Sequence, residues 1–179
     1  MVFRGSWFGG GAVVDRPAVV LRGMGVSELG MRLATVGDAG TIASHRVRMF
    51  LEAKGWPEER GAELLAVLPP FLERAIGAGM YRGWLLVTPG GEVAAGAGVQ
   101  VRELIPRLEV LGGPEALVVN VFVEPSYRRR GLARQLMVAI LDWCREEGIG
   151  RVVLHPTDAA RPLYASLGFG ASGEMIVYP

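Results

Sequence analysis

The sequence contains one cysteine, Cys144, and two histidines, His45 and His155. A single cysteine excludes an intramolecular disulfide, and together with two histidines it is too few for a Cys/His zinc site, so no metal is expected. Long apolar runs are also missing. The strongest, Ala116 to Val123, is broken by Asn120 and closed by Glu124-Pro125, far short of the roughly 18 residues of a bilayer-spanning helix. Nor is there a surplus of either charge: 19 basic residues against 18 acidic ones leave a net charge of +1. A protein built to coat nucleic acid or anionic lipid carries a large basic excess. These absences predict a cytoplasmic chain with no nucleic-acid and no membrane partner, in which any anion site is local.

What remains is enough for a full core. With 179 residues, 50% of them hydrophobic, the chain has the size of one domain that buries about 70% of the surface its unfolded form exposes. Residues 1–30 are rich in glycine and poor in periodicity, and they read as an N-terminal extension, loose or ordered as an arm through Ala18 to Leu21. Arg4 followed by Trp7 to Val14 makes a poor signal peptide, because Gly9-Gly10-Gly11 interrupts its centre and Asp15-Arg16 follow at once. The compact domain is placed at 31–179.

Along that domain the patterns alternate between helix and strand. A short strand is expected at Arg32 to Thr35, then a helix capped by Asp38, carrying Ile42, His45, Arg46, Met49 and Phe50 and stopped by Gly55. Pro57 opens a helical stretch that Pro69-Pro70 should divide into two pieces. Trp84 to Val87 and Val93 to Val101, joined by Pro89-Gly90-Gly91, read as an antiparallel hairpin in which Gly96 and Gly98 mark a bulge or a close backbone approach. Ala116 to Val123 reads as a central strand and Arg130 to Glu147 as an amphipathic helix with Leu132, Leu136, Met137, Ile140 and Cys144 on its apolar side. Arg151 to His155 reads as a second apolar strand, Pro162 to Leu167 as a short helix, and Met175 to Tyr178 as a last strand. A strand, crossover helix and strand in this order form a right-handed parallel unit. The fold class is α/β: a mixed central sheet, antiparallel in its front half, with a parallel pair in its centre and helices on its flanks.

The richest segment is Phe122-Val123-Glu124-Pro125-Ser126-Tyr127-Arg128-Arg129-Arg130-Gly131-Leu132-Ala133-Arg134, where a buried strand turns into an amphipathic helix. The start of a helix leaves N–H groups unpaired and carries partial positive charge. Three arginines there are misplaced unless an anion normally draws them together; a plain solvated basic loop is the other reading of the same charges. Gly131 allows a ligand close to the backbone, and the small Ala133 leaves room beside the first turn.

Arg128-Arg129-Arg130-Gly131-Leu132-Ala133 resembles the Arg/Gln-x-x-Gly-x-Gly/Ala turn of the GNAT acetyltransferase superfamily. An apolar strand ending in Val-x-Pro precedes it, and Pro-Leu-Tyr-x-x-Leu-Gly-Phe follows it at Pro162 to Phe169. The resemblance covers residues 116–178 in motif and the front half in element order only. It implies acetyl-CoA as cosubstrate, with the amides of Arg129 to Arg134 around its pyrophosphate and the side chains of Arg128, Arg129 and Arg130 near its phosphates. The main chain of Phe122 and Val123 would pair with the pantetheine arm, in a splay between the strands at Ala116 to Val123 and Arg151 to His155.

By the same resemblance Tyr164 sits beside the coenzyme A sulfur. A phenol with a pKa near 10 faces a thiol near 8.5, so hydrogen bonding to the departing thiolate describes its role better than full proton transfer. Packing beside Leu163 and Leu167 is the alternative. Carbonyl polarisation falls to the Val123 N–H. No base is assigned: the region where some family members carry a glutamate reads Leu117-Val118-Val119, while Asn120, Glu124, His155 and Asp158 each have ordinary structural readings. His45, Arg46 and Arg48 are read as a solvated helix face rather than an acceptor site, and Cys144 as a small buried apolar residue. Gly96-Ala97-Gly98 lacks the rest of a dinucleotide fingerprint, and no Gly-x-Ser-x-Gly elbow occurs. The expected activity is acetyl transfer to a primary amine on a small molecule or peptide by direct transfer in a ternary complex. A non-catalytic CoA-binding regulatory or assembly module is the alternative, and a homodimer is compatible with either.

Overall fold

The protein is described from a computed structural model covering residues 29–103, 105, 113–173 and 177. The proposed arm at Ala18 to Leu21 and most of the last strand, Met175 to Tyr178, lie outside the described residues. Strand β1 is Gly30–Leu33, helix α1 Ala39–Lys54, helix α2 Glu58–Gly77, strand β2 Tyr81–Val87, strand β3 Val93–Glu103 and strand β4 Pro114–Val123. Helix α3 is Leu132–Glu146, strand β5 Arg151–Val153 and helix α4 Arg161–Ala165. They form one sheet in the order β1-β2-β3-β4-β5. The first three neighbouring pairs are antiparallel and β4-β5 is parallel, so the mixed sheet expected from the sequence is the one observed.

Successive strand residues face opposite sides, and each side of this sheet has its own core. Leu132, Leu136, Met137, Ile140 and Cys144 bring α3 onto Trp84, Leu86, Val99, Ala116 and Val118. Ile42, Ala43, Leu68 and Leu72 bring α1 and α2 onto Tyr81 and Leu85 on the other side. Cys144 is 2% exposed, and burial pushes its thiol up to about 11, which fits a packing residue.

Five sequence expectations need correction, among them the second parallel strand, which ends at Val153 rather than His155. The first strand ends at Leu33, two residues before Thr35. Thr35 instead starts a 3₁₀ turn and donates its N–H to an Asp38 carboxylate oxygen at 2.7 Å. Asp38 precedes α1 but makes no side-chain cap to it; its carboxylate turns back to Arg32, at 2.7 and 2.8 Å. The Pro69-Pro70 pair does not divide the helix, since α2 runs unbroken through both. The carbonyls deprived of an N–H partner belong to the exposed residues Leu65 and Ala66, on the solvent side of the helix, while buried Leu68, Leu72 and Ala75 keep the helix on the sheet. The last correction is the α1 face, which is not solvated: His45 is 4% exposed and Arg46 is half-buried.

Glycine spacing on β3 worked as read. A Cβ on Gly98 would overlap the Tyr81 hydroxyl, so the tyrosine ring lies across bare backbone. Opposite, the β3-β4 register jumps from Gly98↔Val119 to Gly96↔Phe122, leaving Asn120 and Val121 against Ala97. That is a β-bulge, and Asn120 occupies the left-handed region with φ 59°.

Candidate active site

The parallel ladder between β4 and β5 ends at Leu117↔Val153, yet β4 continues to Val123. Over Val118 to Val123 the two strands have separated. On its other edge β4 stays bonded to β3 to the end, where Glu124 donates its N–H to the Ala94 carbonyl at 2.9 Å. Because backbone direction alternates along a strand, Val123 presents its N–H and C=O to the opening. Its carbonyl there accepts Arg128 Nε at 3.0 Å.

Just beyond the opening, Gly131 forms the N-cap of α3 with φ 79°, and a Cβ built on it would meet nothing within 4 Å. The first amide of α3 that bonds back is Gln135, to the Gly131 carbonyl at 3.0 Å, and no side chain caps the helix. The amides of Arg129, Arg130, Gly131, Leu132, Ala133 and Arg134 therefore form an open nest of N–H groups at the positive end of a helix. Arg129 contributes the second left-handed non-glycine residue, φ 63°. The unobstructed space over Gly131 and the unpaired amides fit a diphosphate.

The arginine side chains are partly committed elsewhere. Arg128 reaches Glu52 of α1 at 2.6 Å and lies over the Phe122 ring. Arg130 donates to the Ser126 carbonyl at 3.1 Å, and Arg134 to Ser166 Oγ at 2.8 Å, tying α3 to the end of α4. Arg129 is exposed.

Tyr164 on α4 is 8% exposed, packs against the α3-side core and meets the Phe169 ring edge-on at 5.9 Å. Burial raises its phenol pKa above the usual 10. Tyr164 also lines a cleft of about 720 Å³ alongside Val153, Leu154 and His155, next to β5.

A second set of polar groups, grouped with little weight from the sequence, occupies the α1 side of the β4 end. Glu124 accepts two hydrogen bonds from Arg48, at 2.6 and 2.7 Å, and lies 3.3 Å from His45 Nε2. Arg48 holds the Glu124 carboxyl below the usual carboxylate range, while burial lowers the His45 pKa below that of a free imidazole. His45 is therefore a neutral ring at pH 7, tilted against Phe122 at 4.9 Å. One residue along α1, Arg46 donates to Asn120 Oδ1 at 2.6 Å, and Asn120 Nδ2 donates to the Tyr81 oxygen at 3.3 Å. Burial pushes the Tyr81 phenol up to about 12, so it stays uncharged. Asn120, polar within an apolar strand, was the sequence signal for this network; Arg46 gave none. His155 and Asp158 stay exposed outside these groups.

Comparison with known proteins agrees with this geometry. The model of the acetyltransferase (GNAT) family matches residues 47–169. A [ribosomal protein bS18]-alanine N-acetyltransferase of Escherichia coli (strain K12) is 32% identical over 124 residues, 66% of this chain and 77% of that one. A glucosamine 6-phosphate N-acetyltransferase of Trypanosoma brucei brucei is 29% identical over 83 residues; the match spans 46% of this chain and only 54% of that protein. The crystal structure of a GCN5-related N-acetyltransferase from Ralstonia eutropha JMP134 superposes with a TM-score of 0.78 at 31% identity, covering 84% of this chain and 98% of that one. The separated parallel strands, the bare amides after them and the matched 47–169 segment carry one conclusion: the chain belongs to the acetyltransferase (GNAT) family, enzymes that move an acetyl group from acetyl-CoA to an amine.

Proposed function

We propose that this chain acetylates a primary amine by direct transfer from acetyl-CoA while both are bound. The observation that carries the reading is the divergence of β4 from β5 beyond Leu117, which leads straight into the unpaired amides of Arg129 to Arg134. Those amides would hold the pyrophosphate, and the exposed edge of β4 at Val123 would pair with the amides of the pantetheine arm, whereas the main-chain groups of Phe122, expected to share that role, face β3. Bound there, acetyl-CoA supplies the activated acetyl group. The Val123 N–H, turned into the opening, is placed to polarise the thioester carbonyl. The relatives' names give as acceptors an alanine of ribosomal protein bS18 and glucosamine 6-phosphate.

Tyr164 is assigned to the departing sulfur. Its raised pKa keeps the hydroxyl protonated well above neutrality, so it donates a hydrogen bond to the thiolate; full transfer costs more than the roughly 2 kcal/mol separating a free phenol from a thiol. Tyr164→Phe should therefore lower kcat about tenfold or more while leaving the Kd for acetyl-CoA within about twofold. Steady-state rates together with calorimetry of cofactor binding read both quantities. Loss of affinity at unchanged kcat would remove Tyr164 from the chemistry.

A further inference from the structure

The cleft between α1 and α2, about 640 Å³, is lined by Arg46, Phe50, Trp56, Leu64 and Val67 among others. Phe50 and Trp56 stack face to face, 4.9 Å apart and 15° from parallel, and give the cleft an apolar side. Arg46, half-buried, lines the cleft together with the Arg60–Glu63 ion pair, its guanidinium over the Phe50 ring at 4.8 Å. Its one hydrogen bond goes to the neutral Asn120 amide oxygen. Among the described residues no carboxylate pairs with it. Among the described residues, two other charges on this side of the sheet have opposite partners: Glu124 has Arg48, and Asp38 has Arg32.

A guanidinium has five N–H donors in a planar fork, and an unpaired buried charge is costly. Arg46 spends one donor and keeps the rest beside an open cleft, which is the arrangement that takes a carboxylate or phosphate through two parallel bonds. Arg46 also ties the cleft to β4 through its bond to Asn120, on the strand whose later residues border the opening. We infer that the acceptor is an amine that also carries an anionic group, the anion held by Arg46 and its apolar or sugar body packed beside the Phe50–Trp56 pair. The inference rests on the acetyl transfer proposed above and adds the class of acceptor.

The test uses the full chain saturated with CoA, so that the phosphate-binding amides are occupied, and calorimetry with two matched pairs of amines. L-phenylalanine against L-phenylalaninamide varies a carboxylate; glucosamine 6-phosphate against glucosamine varies a phosphate. The expected result is at least tenfold tighter binding of the anionic member in one pair, which also tells carboxylate from phosphate. Arg46→Gln should reduce that preference to about twofold or less, and Arg46→Lys should restore part of it. The ratio is taken within one preparation, so a loss of folded protein cancels. Equal binding of charged and neutral members, no binding of either pair, or a preference that survives Arg46→Gln would overturn the assignment. Failure to bind CoA would instead remove the transfer reading and this one with it, whereas CoA binding without anion preference removes this one alone.

Discussion

Asp38 shows how one side chain ties sequence to stability. Its carboxylate accepts hydrogen bonds from Arg32 and from the Thr35 N–H and hydroxyl, and Arg32 above all brings its pKa from 3.8 down to about 2. A depressed folded pKa means that the unfolded chain holds the proton more tightly. The stabilisation is thus complete above the unfolded value of 3.8 and is lost as pH falls toward 2. Because Arg32 is 41% exposed, the contribution is about 1 kcal/mol. Asp38→Asn should cost that amount in urea unfolding at pH 7, and the gap from the parent protein should narrow at pH 3. The fully buried Glu115, by contrast, gave no hint in the sequence of its two partners, because Arg102 and Arg151 meet it only through the register of three strands. Asn120 did stand out as a polar residue in an apolar run. Its partner Arg46, 74 positions earlier, could not be read, since nothing local in α1 distinguishes an arginine reaching inward from one facing water.

At the scale of elements, β4 is fastened at one end and open at the other. Glu115 joins Arg102 of β3 at 2.5 Å and Arg151 of β5, at the point where the parallel ladder begins. Neutralising a buried carboxylate that accepts from two guanidinium groups costs about 2 kcal/mol, since Arg102, 48% exposed, can turn to water while Arg151, 25% exposed, loses a counter-charge. Glu115→Gln should lower unfolding stability by about that much. It should also speed amide exchange at Ala116, Leu117 and Val152 more than in α1, which hydrogen-exchange mass spectrometry resolves. Elements with strong periodicity were legible: α3, the β2-β3 hairpin and β4 lie close to where their apolar residues put them. The misreadings came where tertiary context overrode a local rule. Pro69 and Pro70 are tolerated because their orphaned carbonyls face water, and β5 ends at Val153 because β4 diverges there.

For the whole molecule, family and site turn were legible because Arg128 to Ala133 and Pro162 to Phe169 carry the family's pattern and the arginine triplet stands at a helix start, while the gap between β4 and β5 is a relation between distant segments. If that gap and its amides take acetyl-CoA, the ligand stabilises only the folded state. At about 100 times its dissociation constant it should add roughly 2.7 kcal/mol, measurable as a rise in Tm that desulfo-pantetheine lacking the diphosphate does not reproduce.

The extra residue at Asn120 has a consequence for the entire sheet. Before it, Val119 faces the α1/α2 layer; after it, so does Phe122, three positions on, where strict alternation would have turned Phe122 toward α3. Deleting one residue at that point would reverse the phase of the strand's final stretch. Glu124 would be driven toward the apolar layer under α3, Val123 would turn its amide to β3 and away from the gap, and the two faces would exchange what they offer to ligands.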